Sequence, residues 1–244
     1  LIYVNPRPNL TAIESAVRTG VHGEDAGYLD VRTKRIEARV SVYQKRFARI
    51  FADVWSKAAP ISWLDVGAGN GEIVEAITNL APAGSRIEGV EPMDAKASRA
   101  RARGLNVQTS YLRPDHPKVD FISVVDVFSH IPEFGGFLAD VSNALLPGGE
   151  LFIETGNLAD LDRREEFSGE LGLPDHLVFA GRTQLDSYLD RAGFEVVSVE
   201  PVRIDGMIYS AKNLVKAMLG RPVTVRLPYS SRFRQLLVRA RQVT

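Results

Sequence analysis

Cysteine is absent from the 244 residues, which removes disulfides, thiolate metal sites and cysteine nucleophiles from this chain. No apolar run approaches the ~18–20 residues that a membrane-spanning helix needs. No secretory leader pattern opens the sequence, so a cytoplasmic location is the default expectation. Net charge is lacking as well: 30 basic and 30 acidic residues cancel, and whole-molecule charge predicts no polyanion partner. Repeats and low-complexity stretches are missing too. What is left is an apolar share of 45% and a charged share of 25%, ordinary values for a globular enzyme. A chain of this size buries roughly 70–75% of its unfolded surface.

Against that background one run stands out, Trp63-Leu64-Asp65-Val66-Gly67-Ala68-Gly69-Asn70-Gly71-Glu72. A short apolar strand (61–66) ends in an acidic residue. Glycines follow at alternate positions, and a helix pattern then opens with Ile73, Val74 and Ile77. Glycine lets the backbone come close to a ligand, and the helix beyond offers free N–H groups and a partial positive charge. A dinucleotide fingerprint reads G-x-G-x-x-G, whereas the spacing here is G-x-G-x-G behind an aspartate. The expected ligand therefore lacks a phosphate and carries a carboxylate and an ammonium. The loop amides, among them those of Gly67, Ala68, Gly69 and Gly71, would face the carboxylate, and Asp65 would reach the ammonium directly or through water. An amino-acid-bearing nucleoside meets that description, S-adenosylmethionine first of all.

The chain around this loop divides into an arm with a lid helix (1–60) and an α/β domain (61–244) carrying a basic insertion at about 201–232. Residues 1–27 read as irregular, broken by Pro6 and Pro8. A long helix is expected over 28–57, where Ile36, Val40, Tyr43, Phe47, Ile50 and Val54 share one face. Its basic positions, Arg39 and Arg46 among them, are either a solvated face or a lid with one basic residue or Tyr43 reaching the ligand. From 61 to 199 strand and helix patterns alternate. Strands are expected at 61–66, 86–90, 106–109, 120–127, 150–154 and 195–199, and helices at 71–80, 93–103, 133–145 and 183–192. Such alternation predicts crossover units and a doubly wound parallel sheet with helices on both faces. A final strand near 233–239, pairing antiparallel with 195–199, would close the sheet at one edge. Residues 201–244 hold nine Lys or Arg against one acid, Asp205. That tail reads either as edge protection or as a seat for an anionic or sugar-containing small-molecule acceptor. Nucleic acid fits less well, because aromatic stacking surfaces are not interleaved with the charges.

Ligands of open parallel sheets lie beyond the carboxyl ends of the strands, where strand order reverses. The second strand ends Val90-Glu91-Pro92-Met93. Glu91 is placed to accept the hydroxyls of a ribose or, on the structural reading, to cap a helix. Met93 could pack on an adenine face, and Tyr111, after the third strand, lies near the ring edge. The fourth strand ends Asp126-Val127-Phe128-Ser129-His130-Ile131-Pro132, and the fifth delivers Glu154, Thr155 and Asn157.

The order Leu64-Asp65-Val66-Gly67-Ala68-Gly69-Asn70-Gly71, Val90-Glu91-Pro92, Asp126 through Pro132 and Leu146-Pro147-Gly148-Gly149 resembles the class I S-adenosylmethionine-dependent methyltransferases of small molecules, over about 61–200. The segments Pro174–Leu177 and Leu189–Val196 add to the likeness. The resemblance implies a Rossmann-like, seven-stranded sheet whose last strand is antiparallel. It also implies a cofactor held by Asp65, Gly67, Gly69, Glu91, Met93 and the Asp126–Val127 region. Ser129 stands where many relatives carry glutamate, which argues against a metal built on that position. Similar proteins often have a cysteine-rich zinc module ahead of a segment like Leu1–Pro8. Its absence here, with no initiating Met, implies a lost module or one upstream of this sequence.

Methyl transfer to oxygen needs a proton acceptor, and His130 and His176 lie on the expected cofactor side. A non-catalytic relative that keeps the cofactor site, or an NAD-dependent oxidoreductase, are the rival readings. A nucleic-acid methyltransferase would need a reader of a flipped base, and the Asn-Pro-Pro-Tyr-like segment is missing after the fourth strand. Acceptor identity and oligomeric state are not legible.

Overall fold

Strand-length apolar runs with no polar face demand cover on both sides, and the chain meets that demand with one sheet between two helical layers. The structure is a computed structural model in which residues 2–3, 5–19, 33–156, 177–202, 218–219 and 235–243 are described. In chain order the elements are β1 (Ile2–Tyr3), α1 (Leu10–Thr19), α2 (Thr33–Ile50), α3 (Ala52–Trp55), β2 (Ser62–Val66) and α4 (Glu72–Thr78). Then come β3 (Arg86–Val90), α5 (Asp94–Ala102), β4 (Val107–Gln108), β5 (Val119–Val125), a 3₁₀ turn (Phe128–His130), α6 (Phe134–Ala144) and β6 (Leu145–Gly156). β7 (Val178–Phe179), α7 (Arg182–Arg191), β8 (Phe194–Val202) and β9 (Gln235–Gln242) complete the series. The seven-stranded sheet has the order β4-β3-β2-β5-β6-β9-β8. β2 to β6 run parallel, and β9 is antiparallel to both of its neighbours. This is the doubly wound, Rossmann-like sheet with an antiparallel last strand.

The last strand does not close an edge as expected; it inserts between β6 and β8. Burial explains the difference. Leu236 through Ala240 are all buried, so β9 needs cover on both faces and a neighbour on each side. β8 mixes exposed and half-buried positions and carries Pro201, which suits an edge. Arg239 survives the interior because Glu150 Oε2 (2.6 Å), Asp53 (2.6 and 2.8 Å) and the Ile50 carbonyl (2.8 Å) accept from its guanidinium.

The long helix bends. α2 stops at Ile50 and the chain resumes as α3, because the Trp55 indole N–H donates to the Phe47 carbonyl (2.8 Å) and Val54 N turns to Phe51 O (2.9 Å). Its apolar face packs as read: Ile36, Val40, Tyr43, Phe47 and Val54 join Trp63, Phe121 and Phe152 of the sheet in one cluster. Trp63 stacks on Phe121 at 4.9 Å and meets the edge of Phe47 at 5.4 Å. Residues 28–32 lie outside the described residues. The arm corrects the reading of 1–27 as irregular. After Pro8, Asn9 Oδ1 accepts from Ala12 N (2.8 Å) and starts α1, which buries Ile13 and Ala16.

Gly89, inside β3, fixes how closely the loop after β2 lies on the sheet. A Cβ there would stand 2.7 Å from Ala68 Cβ and 3.0 Å from Val74 Cγ2. Gly89→Ala is expected to destabilise by about 1–3 kcal/mol, lowering the melting temperature by roughly 2–4 °C per kcal/mol. Thermal unfolding by circular dichroism checks this, and an unchanged midpoint contradicts it.

Candidate functional site

Strand order reverses between β2 and β5, so the crevice lies over their carboxyl ends. The loop after β2 holds Gly67, Gly69 and Gly71 at φ of +76°, +56° and +85°, a region that favours glycine. The amides of the loop are engaged within the protein. Gly67 N and Ala68 N donate to Val90 O (2.8 and 3.0 Å), and Gly71 N donates to Ala68 O (2.8 Å). Gly69 N donates to Glu91 Oε2 (2.8 Å) and Asn70 N to Glu72 Oε2 (3.1 Å). Two carboxylates, Glu91 and Glu72, thus tie the loop down.

Asp65 sits beneath this loop, 1% exposed. Trp63 Nε1 donates to Ser123 Oγ (3.0 Å), and that hydroxyl donates to Asp65 Oδ1 (2.5 Å). Oδ2 is buried without a partner. Burial, with Glu72 and Glu91 nearby, pushes the carboxyl up to about 8. A buried oxygen in this state lacks a cationic donor, and an ammonium supplies one. Glu91, also buried, ties the two loops: Gly69 N on one oxygen, Met93 N on the other at 2.9 Å. Each oxygen keeps a lone pair for a further donor. Pro92 is half-buried and Met93 is buried at the start of α5. Tyr111 is 44% exposed, with the Arg18 guanidinium 5.9 Å from its ring centre.

Across the crevice, Asp126 adopts φ +56°, an uncommon conformation for a non-glycine residue. Its N–H donates to Glu154 O (3.0 Å). Val127 packs against the glycine loop so tightly that a Cβ on Gly67 would stand 2.3 Å from Val127 Cγ2. His130 is half-buried in the 3₁₀ turn, with its N–H on Val127 O (2.9 Å). His176 and Asn157 lie outside the described residues. Among the described residues no three His, Cys, Asp or Glu gather as a metal-binding group.

Four further residues complete the crevice: two basic residues and Tyr43 of the helix read as a possible lid, and Glu154, read as delivered by the fifth strand. Arg39 of α2, 44% exposed, reaches to 3.8 Å from Glu72 Oε1 and 3.9 Å from Asp126 Oδ2. Two turns on, Arg46 donates to both oxygens of Glu154 (3.1 and 2.9 Å). Glu154 is 1% exposed, and burial pushes its carboxyl up to about 7. Tyr43 lies buried between the two guanidinium groups, 5.8 and 5.4 Å from its ring centre. The acidic strand end at 154 and the i, i+3, i+7 row Arg39, Val42, Arg46 were visible signals, but their pairing across 108 positions was not. The arm crosses the same end of the sheet, with Arg7 Nη1 on Pro132 O (2.7 Å) and Arg18 over Tyr111. Two open grooves, about 560 Å³ between α6 and α7 and about 490 Å³ beside Pro147 and Arg239, contain none of these crevice side chains.

A seven-stranded sheet of this order, with an acid-led glycine loop at the reversal, defines the architecture of the S-adenosylmethionine-dependent methyltransferases. A methyltransferase-domain family model matches residues 36–199, and the chain belongs to that family. Among curated proteins it is similar to the ubiquinone biosynthesis O-methyltransferases of Saccharophagus degradans (26% identical over 117 residues, 44% of this chain and 48% of that protein) and of a Bradyrhizobium strain (28% over 105 residues, 38% and 39%). The matches span less than half the length of those relatives. In fold it is similar to the geranyl diphosphate C-methyltransferase of Streptomyces coelicolor A3(2), at a TM-score of 0.67 and 16% identity over 97% of this chain and all of that one. An S-adenosylmethionine-dependent methyltransferase of Archaeoglobus fulgidus gives 0.58 and 17% over 83% and 94%.

Proposed function

We propose that this protein transfers a methyl group from S-adenosylmethionine to a hydroxyl of a small-molecule acceptor. The observation that carries the reading is the partnerless, buried Oδ2 of Asp65 under the glycine loop. Asp65 receives the cofactor's ammonium. Arg39, whose guanidinium is half-exposed and stands 3.8 and 3.9 Å from Glu72 and Asp126, meets its carboxylate. Glu91 uses its remaining lone pairs on the ribose hydroxyls, and Met93 and Tyr111 flank the adenine, with Asp126 and Val127 closing the other side. When bound, the cofactor supplies an activated methyl electrophile, so the chain's own work is to align the acceptor and exclude water; alignment alone supplies several kcal/mol. The arm and α2 form the lid over this crevice, with 61–244 as the catalytic domain.

The hydroxyl acceptor is supported by the O-methyltransferase relatives. An anionic or sugar-containing acceptor is supported by the basic 201–244 segment, although two of its nine cations, Arg239 and Arg241, are occupied by Glu150. The test is thermal shift with S-adenosylhomocysteine against NAD, followed by a mass-spectrometric search for S-adenosylhomocysteine formation over hydroxylated acceptors. A selective ligand stabilises by about 2.7 kcal/mol at a hundredfold excess over Kd. Stabilisation by NAD alone overturns the reading. Arg39→Ala is expected to weaken S-adenosylhomocysteine binding about 10- to 100-fold, the worth of a charge-assisted contact. Its melting temperature should change little. Calorimetric titration checks it; an affinity within threefold of the parent removes Arg39 from the site.

A further inference from the structure

Methyl transfer to a hydroxyl leaves one proton to be placed, and the crevice offers several acids to receive it. Their surroundings sort them. Asp65 is committed to Ser123 and lies under the loop. Glu72 and Glu91 are turned onto the amides of Asn70, Gly69 and Met93. Asp126 is about half exposed and open to solvent. Glu154 differs. It lies on β6, two residues before that strand's end and paired with Val125 of β5, it is buried, and its carboxylate is held by a side chain from another layer, Arg46 of α2. That hold can be released without unmaking a loop, since Arg46 already lies over the Tyr43 ring.

We propose that Glu154 takes the proton from the acceptor's hydroxyl as its oxygen attacks, with Arg46 holding the carboxylate in position until the acceptor enters. This rests on the methyl-transfer reading above. The acceptor oxygen forms its bond to the methyl carbon while the carbon–sulfur bond breaks, and the bonding pair stays on sulfur as the thioether. The hydroxyl proton passes to a Glu154 oxygen and leaves to solvent after product release. Burial raises the basicity of Glu154 toward neutrality, the range in which a general base works best. The charged and titratable groups facing it are Arg46, Arg39 and Tyr43 from α2 and Asp126 from the loop after β5. The β5 and β9 residues paired with it, Val125 and Leu237, are apolar.

The experiment compares the full chain with Glu154→Gln, using catechol and 4-nitrocatechol as probe acceptors at pH 8, where the second is already ionised. Glu154→Gln should lower kcat on catechol about 10²- to 10⁴-fold, the usual worth of a general base. The nitro compound should lose less than tenfold, and KM for the cofactor should hold. His130→Gln should leave both rates within threefold. Equal losses on both probes, or a selective loss in His130→Gln instead, overturn the proposal. A second readout needs no acceptor. Infrared difference spectra of the parent against Glu154→Gln should show one carboxyl band titrating near neutrality, and a group ionised throughout pH 5–9 overturns the proposal even where neither probe is turned over. Failure of the methyl-transfer reading itself is seen separately, as no binding of S-adenosylhomocysteine by the parent.

Discussion

Gly67→Ala is expected to abolish measurable S-adenosylhomocysteine binding and to lower the stability of the protein by about 2–5 kcal/mol. Two independent costs add at this position. An L-residue at φ +76° carries roughly 1–2 kcal/mol of backbone strain. Its Cβ, 2.3 Å from Val127 Cγ2, also forces an overpacked contact of about 1–3 kcal/mol. The second cost explains the loss of binding: relief requires the Asp126–Val127 turn to move away from the loop, which opens the crevice on the side opposite Glu91. The Gly67→Ala, Val127→Ala double substitution removes the colliding methyl and should recover part of the stability, a coupling of neighbours that single substitutions cannot reveal. Calorimetric titration and thermal melts check both parts. Binding by Gly67→Ala within threefold of the parent excludes the close packing as the cause.

Asp65→Asn should act in opposite directions on stability and on binding. The folded state raises the carboxyl of Asp65 from 3.8 to about 8. Its contribution to stability is therefore fully present below pH 4 and drains away as pH rises toward 8. At 1.36 kcal/mol per pKa unit this amounts to about 6 kcal/mol. Asparagine cannot ionise and keeps the Ser123 hydrogen bond, at the cost of an amide N–H without a partner, about 1–3 kcal/mol. The ligand-free variant should then be about 3–5 kcal/mol more stable than the parent at pH 8 and no more stable at pH 4. Binding should show the reverse. In the parent at pH 7 the ammonium must displace the proton on Asp65, so cofactor uptake releases close to one proton. Titration calorimetry in buffers of different ionisation enthalpy measures this number. Equal proton release by parent and variant rules out Asp65 as the partner of the ammonium.

How much of this could be read from the chain depends on how far apart the interacting residues lie. β3 follows the sequence reading to the residue, and α4 to α7 lie within one or two residues of it, because each is set by a local period and a local stop. The glycine loop was legible for the same reason. Its hydrogen bonding was not: Gly69 N finds Glu91 from 22 positions away, and nothing in the spacing of the acid says that it turns back onto the loop. Arg46 and Glu154 are the same case over a longer span. The arm departs from its irregular reading because Pro6 and Pro8 do not interrupt a helix but precede the Asn9 start of α1. The pairing of β9 with β8 follows the reading, but its second neighbour, β6, lies far back along the chain and leaves no local signal, and neither do the partners of Arg239 inside.

The placement of β9 also bears on biosynthesis. β2 to β6 can associate in the order in which they leave the ribosome, since each new parallel strand meets a neighbour already made. β8 cannot: among the described residues its sole partner in the sheet is a strand translated after it. Until that strand emerges and threads into the slot beside β6, the nascent domain presents two raw hydrogen-bonding rims, the kind of surface that chaperones shield.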